Sequence, residues 1–170
     1  QPSPAYDEIK HLISEAFQEA FELNDQQMTL LGYLEAGENV ACTAPSGWAK
    51  SILLYAVAAK NHREGKGQTL LTAEGHLQEN ELVLADRLGL KAGILNGSIQ
   101  AFDRDFKKDK YDVIFVPYDY FVEQGNSDEL SRYFNGKIAY WGVDHPSAEV
   151  SIWHVIQKCA AALKSPLYLM

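Results

Sequence analysis

The sequence predicts an α/β fold, a mostly parallel sheet of about six strands with helices on both faces. Three observations carry this. Apolar runs of strand length alternate with stretches of helical period along the chain, the pattern of successive βαβ units. The strand-like runs are apolar at nearly every position, as strands buried on both faces must be. A short loop ending in lysine and serine follows the first such run and opens a helix, the place where a doubly wound sheet holds anions.

The elements follow in order. "DEIKHLISEAFQEAFEL" places Ile9, Leu12, Ile13, Ala16, Phe17, Ala20 and Phe21 on one helical stripe. A second helix is expected from Gln26 to about Glu35. "NVACT" (39–43) reads as a short buried strand, and "AKSILLYAVAAKNH" (49–62) as a helix that Gly65 and Gly67 close. Strands are then expected in "QTLLTA", "KAGILN", "YDVIFVP", "KIAYWGVD" and "PLYLM". Helices are expected in "LQENELVLADRLG", "AFDRDFKK", "SDELSRYF" and "AEVSIWHVIQKCAAALK". In the last of these Val150, Trp153, Ile156 and Ala160 fall on one stripe, which assigns Trp153 to packing.

At 170 residues the chain is expected to be a single domain spanning 1–170, large enough for a proper core. It begins without Met and stops on an apolar strand, so it is expected to be a module of a larger protein. No apolar run approaches the ~20 residues of a membrane helix, and the polar N-terminus has no leader pattern. Cys42 and Cys159 match no metal spacing and are expected as small buried residues. A reducing cytoplasm is the expected compartment, or the nucleus in a eukaryote. The net charge of −8 argues against unaided binding to nucleic acid, because affinity there comes from Lys and Arg on phosphates. "DRDFKKDK" (103–110) mixes both signs and reads as solvated surface.

"TAPSGWAKS" (43–51) is close to the phosphate-loop pattern G-x-x-x-x-G-K-[ST]. In such a loop the backbone N–H groups and the helix N-terminus bind phosphate oxygens, the lysine reaches the outer phosphates, and the hydroxyl binds Mg²⁺. Gly47, Lys50 and Ser51 are in place, whereas Ala49 stands where a second glycine is usual and Trp48 is bulky. A bare strand–turn–helix with an incidental Lys-Ser is the competing reading. A Mg-nucleotide site also needs an acidic residue at the end of a later apolar strand. "IAYWGVDHPS" supplies Asp144 there, and a turn-forming Asp before proline is the alternative.

Taken in order, these segments resemble the first RecA-like domain of a superfamily-2 helicase, of the RecQ and DEAD-box type. "FELNDQQMTLLGYLEAGENVACTAPSGWAKS" is similar to the run from that family's adenine-reading glutamine to its phosphate loop, with Gln27 at the glutamine's place. Ala44 is ordinary for that loop. "QTLLTAEGHLQENELVLADRLGLKAGILNGS" resembles the motif Ia region, and "YDVIFVPYDYF" the motif Ib region. "GVDHPSAEVSIWH" resembles the acidic box and the S-x-W that follows it in RecQ proteins, and "SPLYLM" stands where motif III begins. The resemblance implies ATP or ADP with Mg²⁺ as cofactor, held by Gly47, Trp48, Ala49, Lys50, Ser51 and Gln27, with Ser51 and Asp144 on the metal. It also implies DNA or RNA as partner through the rest of the protein.

The departures from the family fall on its chemistry. Ala49 puts a β-carbon where backbone should approach phosphate. His145 stands where a carboxylate positions the attacking water, followed by Pro146 and Ser147. Glu74 and Asp119 place negative charge on loops that face the nucleic-acid backbone in the family. The scaffold pattern survives while each chemical motif is eroded, as in a pseudoenzyme, and hydrolysis is the first activity such losses remove. A helicase also needs a second RecA-like domain, which this length has no room for.

Three functions are open at this point. One is a degenerate helicase-type domain with weak or lost hydrolysis, serving as a nucleotide- or partner-binding module. Another is the ATP-binding domain of an active RecQ-like DNA helicase. The third is a protein-interaction scaffold without nucleotide. Acidic charge favours a protein partner or further domains covering part of the surface. His11, His62, His76, His145 and His154 show no metal pairing and are expected in surface or capping roles. "YDYF" (118–121) suits either stacking on bases or covering the end of the sheet, with covering favoured.

Overall fold

A computed structural model describes residues 4–18, 22–42, 50–73, 78–95, 111–123, 127–134, 138–144 and 150–170. The chain runs α1 (Pro4–Phe17), α2 (Asp25–Glu35), β1 (Val40–Ala41), α3 (Lys50–Arg63), β2 (Gln68–Thr72), α4 (Gln78–Arg87) and β3 (Ala92–Ile94). It continues β4 (Val113–Phe115), α5 (Tyr118–Glu123), α6 (Ser127–Phe134), β5 (Ile138–Val143), α7 (Val150–Leu163) and β6 (Leu167–Leu169). The strands form one six-stranded sheet in the order β1-β6-β5-β2-β4-β3. Every pairing is parallel. After β4 the chain reverses across β2, and β5 and β6 fill the space toward β1.

The apolar strands divide their side chains between two cores, one on each face. Leu71, Val113, Phe115, Tyr140 and Tyr168 join Leu30, Leu34, Leu53 and Leu54 of α2 and α3. Leu70, Ile114, Trp141 and Val143 join Phe121, Leu130, Ile156 and Leu163 of α5, α6 and α7. Successive strand residues point to opposite faces, so a strand covered by helices on both sides needs apolar residues throughout. Each fully buried large side chain contributes about 1.5–3 kcal/mol. Trp141, Tyr55, Tyr140 and Tyr168 are the largest of them.

One irregularity breaks the alternation. Gln68 pairs with Ile138 but Thr69 pairs with Tyr140, so the register slips past Ala139. Ile138 and Tyr140 therefore lie in opposite cores although they are two residues apart. The slip carries the Tyr140 hydroxyl to the carbonyl of Glu38, just before β1.

Several expectations shift. β1 starts at Val40 and not at Asn39, whose side-chain oxygen accepts the Leu167 N–H at 2.8 Å, and residue 43 of the expected strand 39–43 lies outside the described residues. Cys159 is buried as expected, but Cys42 is only half-buried, since it lies at the end of the edge strand β1. The helix α5 was not expected from the sequence. Its first turn is closed by the Tyr120 N–H on the Pro117 carbonyl at 3.0 Å. Tyr120 and Phe121 turn inward, and the Phe121 ring stacks on Trp141 at 5.9 Å, so "YDYF" covers the sheet. Ile13, Ile156 and Ala160 are buried on their expected stripes, and Trp153 packs half-buried on the second core. The expected helix "AFDRDFKK" and the mixed-charge run 103–110 lie outside the described residues.

Candidate functional site

In a parallel sheet all strands end at one edge. Ala41 pairs with Leu169, Leu169 with Val143, and Val143 with Thr72, which makes one row across four strands. The next row is held by the same kind of bond. The Cys42 N–H donates to Leu169 at 2.8 Å, the Met170 N–H to Val143 at 2.9 Å, and the Asp144 N–H to Thr72 at 2.9 Å. Cys42 and Asp144 thus leave the sheet at one level, two strands apart, a separation of roughly 10 Å. α3 begins at Lys50, after β1, and returns the chain to the start of β2, so its N-terminus lies at this same edge.

Asp144 is held on both sides of its peptide. Its N–H is bound to Thr72, and its carbonyl accepts the Tyr118 hydroxyl at 3.2 Å. The Thr72 hydroxyl in turn accepts the Trp141 indole N–H at 2.9 Å in a buried bond. The carboxylate side chain stays half-buried at the rim. The position of Asp144 is therefore set by β2, β5 and α5 together.

α3 is seated just as firmly. Leu53, Leu54 and Tyr55 have no exposed surface. Leu54 lies over Gly142 so closely that a β-carbon there would sit 2.4 Å from its Cδ2. The Tyr55 hydroxyl donates to the Glu81 carboxylate on α4. Burial pushes the Tyr55 phenol well above its ordinary range, with the Glu81 charge adding to it and the Asp144 charge making a smaller contribution. Tyr55 stays neutral and donating, and it ties the helix that opens with Lys50 to the next helix in the chain.

Gln27 lies in the first turn of α2, which packs against α3 and β1. The Gln27 side-chain oxygen accepts the Asn24 N–H at 3.0 Å, and the Asn24 side-chain oxygen accepts the Gln27 N–H at 2.8 Å. The pair is a reciprocal capping box. Gln27 is 8% exposed.

The structure thus brings together the end of β1, the start of α3 and Asp144. Gly47, Trp48, Ala49 and His145 lie outside the described residues, as do Ala44, Glu74, His76, Pro146 and Ser147. For Lys50 and Ser51 only the helical backbone is described. Asp119 is exposed on α5. His62 lies 3.3 Å from Asp112, and the exposed His11 lies 3.5 Å from Glu15. Among the described residues no cluster of His, Cys, Asp and Glu is arranged to hold a metal ion. No described helix is long and apolar enough to cross a membrane. A cavity of about 360 Å³ lies between β1, β6 and α7, lined by Asn39, Ala41, Trp153, Gln157 and Leu169 among others.

Asn24 and Gly142 were not singled out from the sequence, and Tyr118 was read there only within "YDYF", without its bond to Asp144. The spacing Asn24-x-x-Gln27 is a legible capping signature. The other two depend on contacts between segments distant in sequence.

No family model matches the chain, and no curated protein matches it in sequence. Solved structures do match in fold. The DUF1998 helicase MrfA superposes with a TM-score of 0.71 at 16% identity, over 99% of this chain and 29% of that one. The Sulfolobus solfataricus SWI2/SNF2 ATPase core domain superposes at 0.60 and 14% identity, over 88% of this chain and 31% of that one. The same core in complex with dsDNA gives 0.60 and 14%, over 88% and 32%. The chain therefore has a helicase RecA-like fold, and it spans about a third or less of the structures it matches.

Proposed function

We propose that this chain is a nucleotide-binding RecA-like module of the RecQ and DEAD-box kind, in which ATP hydrolysis is weakened or lost. The observation that carries the reading is the shared level of Cys42 and Asp144 at the sheet edge where α3 begins. In this reading the loop 43–49 and the α3 N-terminus hold the phosphates. Lys50 reaches the outer ones, and Ser51 and Asp144 bind Mg²⁺. The metal would supply charge neutralisation at the phosphates. The weakness comes from Ala49 in the loop and from His145 in place of a water-positioning carboxylate. The helicase fold supports the general class, and the ordered motifs of the sequence support the narrower RecQ-like assignment. Nucleic acid and protein partners belong, in this reading, to the larger assembly of which the module is part.

The test is calorimetric titration of Mg-ATP and Mg-ADP into the chain, with phosphate release followed alongside. Expected is binding in the micromolar to millimolar range that disappears in Lys50→Ala, with no turnover above the uncatalysed rate. Absence of heat at millimolar nucleotide would sink the nucleotide reading. Steady phosphate release that depends on Lys50 would sink the loss of hydrolysis.

A further inference from the structure

We propose that the open side of β1 and the groove beside it dock an extended peptide of a partner protein, which adds a strand to the sheet and sets an apolar side chain into the groove. The proposal is independent of the nucleotide reading.

β1 ends the sheet and has β6 on one side only. The Cys42 N–H bonds to the Leu169 carbonyl, and residues two apart in a parallel ladder turn to the same neighbour. Val40 and Cys42 therefore face β6, while the N–H and C=O of Ala41 face away from it. No described strand lies on that side, and Ala41 is exposed. A donor and an acceptor held in strand geometry are what an added strand bonds.

The groove follows from the alternation of β1. Val40 packs on the first core, whereas Ala41 pairs with Leu169 and shares its face of the sheet, that of the second core. On this face β1 offers only Asn39 and Ala41, too small to fill the space between β6 and α7. The cavity of about 360 Å³ that remains is a size at which ligand pockets begin. Leu167, Leu169 and Trp153 are each only half-buried around it. None of the described residues lining it is charged, which does not suit a phosphate. Asn39 and Gln157 instead bring carboxamides, each with the donor and acceptor that a peptide unit also presents. The Asn39 oxygen already accepts the Leu167 N–H at 2.8 Å, which leaves its NH₂ for a carbonyl. Strand addition takes its affinity from main-chain bonds and its specificity from pockets for alternate side chains, and both parts are present here. The ladder of β1 is short, so the groove must carry much of the binding.

Short labelled peptides, in which Thr alternates with Leu, Val, Phe or Tyr, are titrated against the chain by fluorescence anisotropy, with sedimentation velocity run in parallel. Expected is saturable binding of at least one peptide at micromolar concentration. Ala41→Leu fills the groove from an exposed position and is expected to weaken binding about tenfold or more at an unchanged thermal midpoint. N-methylation of the peptide backbone, which removes its ladder donors, is expected to weaken it as much. Binding by none of the peptides, or binding that Ala41→Leu leaves intact, would overturn the proposal. Loss with Ala41→Leu but not with N-methylation would replace the strand by a plain apolar ligand. Self-association that Ala41→Leu abolishes, without peptide binding, would put a second copy of the chain in the groove instead, and each of these two results also overturns the proposal.

Discussion

Gly142 lies two residues before Asp144 on β5, with Leu54 of α3 directly over it. A β-carbon at this position would come within 2.4 Å of Leu54 Cδ2, 3.1 Å of the Met170 methyl and 3.2 Å of Leu71 Cδ1. All three are side-chain ends, and Leu54 must shift its Cδ2 to make room. Gly142→Ala is therefore expected to lower stability by about 1–3 kcal/mol, the range for overpacking a dense core. A urea titration reads this, and an unchanged midpoint would mean that α3 is not seated on β5 as described. The same close approach holds the start of α3 near Asp144. In the sequence Gly142 looks like any glycine in an apolar strand. Its requirement comes from a helix that is remote in the chain.

At the scale of the element, α2 shows how a local motif sets a functional question. Asn24, Gln27, Leu23 and Met28 make a helix start that is legible from four residues of sequence. Replacing Asn24 by Ala leaves the Gln27 N–H without its side-chain acceptor. The expected cost is about 0.5–2 kcal/mol. Asn24→Ser, which can still accept, is expected to recover most of it, and both are measured by chemical denaturation. A full loss with Ser as well as Ala would point to a packing role for Asn24. β1 teaches the opposite lesson. Its apolar run predicts a strand from residue 39, but the ladder starts at Val40, because the Asn39 side chain takes the place of a backbone acceptor. α5 followed the same pattern. Its aromatic sequence allows several fates, and the Trp141 face of β5 selects the buried one.

Across the whole molecule, the two cores are rich in tyrosine. Burial raises the phenols of Tyr55, Tyr120, Tyr140 and Tyr168 above the ordinary value. A phenol raised in the folded state ionises first in the unfolded chain. Its stabilising contribution is complete below about pH 10 and is lost as pH climbs toward the raised folded values. Stability is therefore expected to be independent of these groups between about pH 7 and 9 and to fall steeply above about pH 10. Urea midpoints across that range, with phenolate absorbance followed in parallel, check this. Phenolate appearing well before unfolding would contradict the burial of these four side chains.

The alternation of elements, the apolar character of strands covered on both faces, and the order of the motifs that resemble a helicase RecA-like domain are all legible along the chain. These are local patterns, since period and turn chemistry act over a few residues. The strand order β1-β6-β5-β2-β4-β3, and with it the two-strand separation of Cys42 and Asp144, emerges only in the assembled sheet. Strand order depends on which helices can cover which face, and no single segment encodes it. Likewise the pairing of Tyr118 with Asp144, and of Leu54 with Gly142, joins residues far apart in sequence whose contacts exist only once the sheet is assembled.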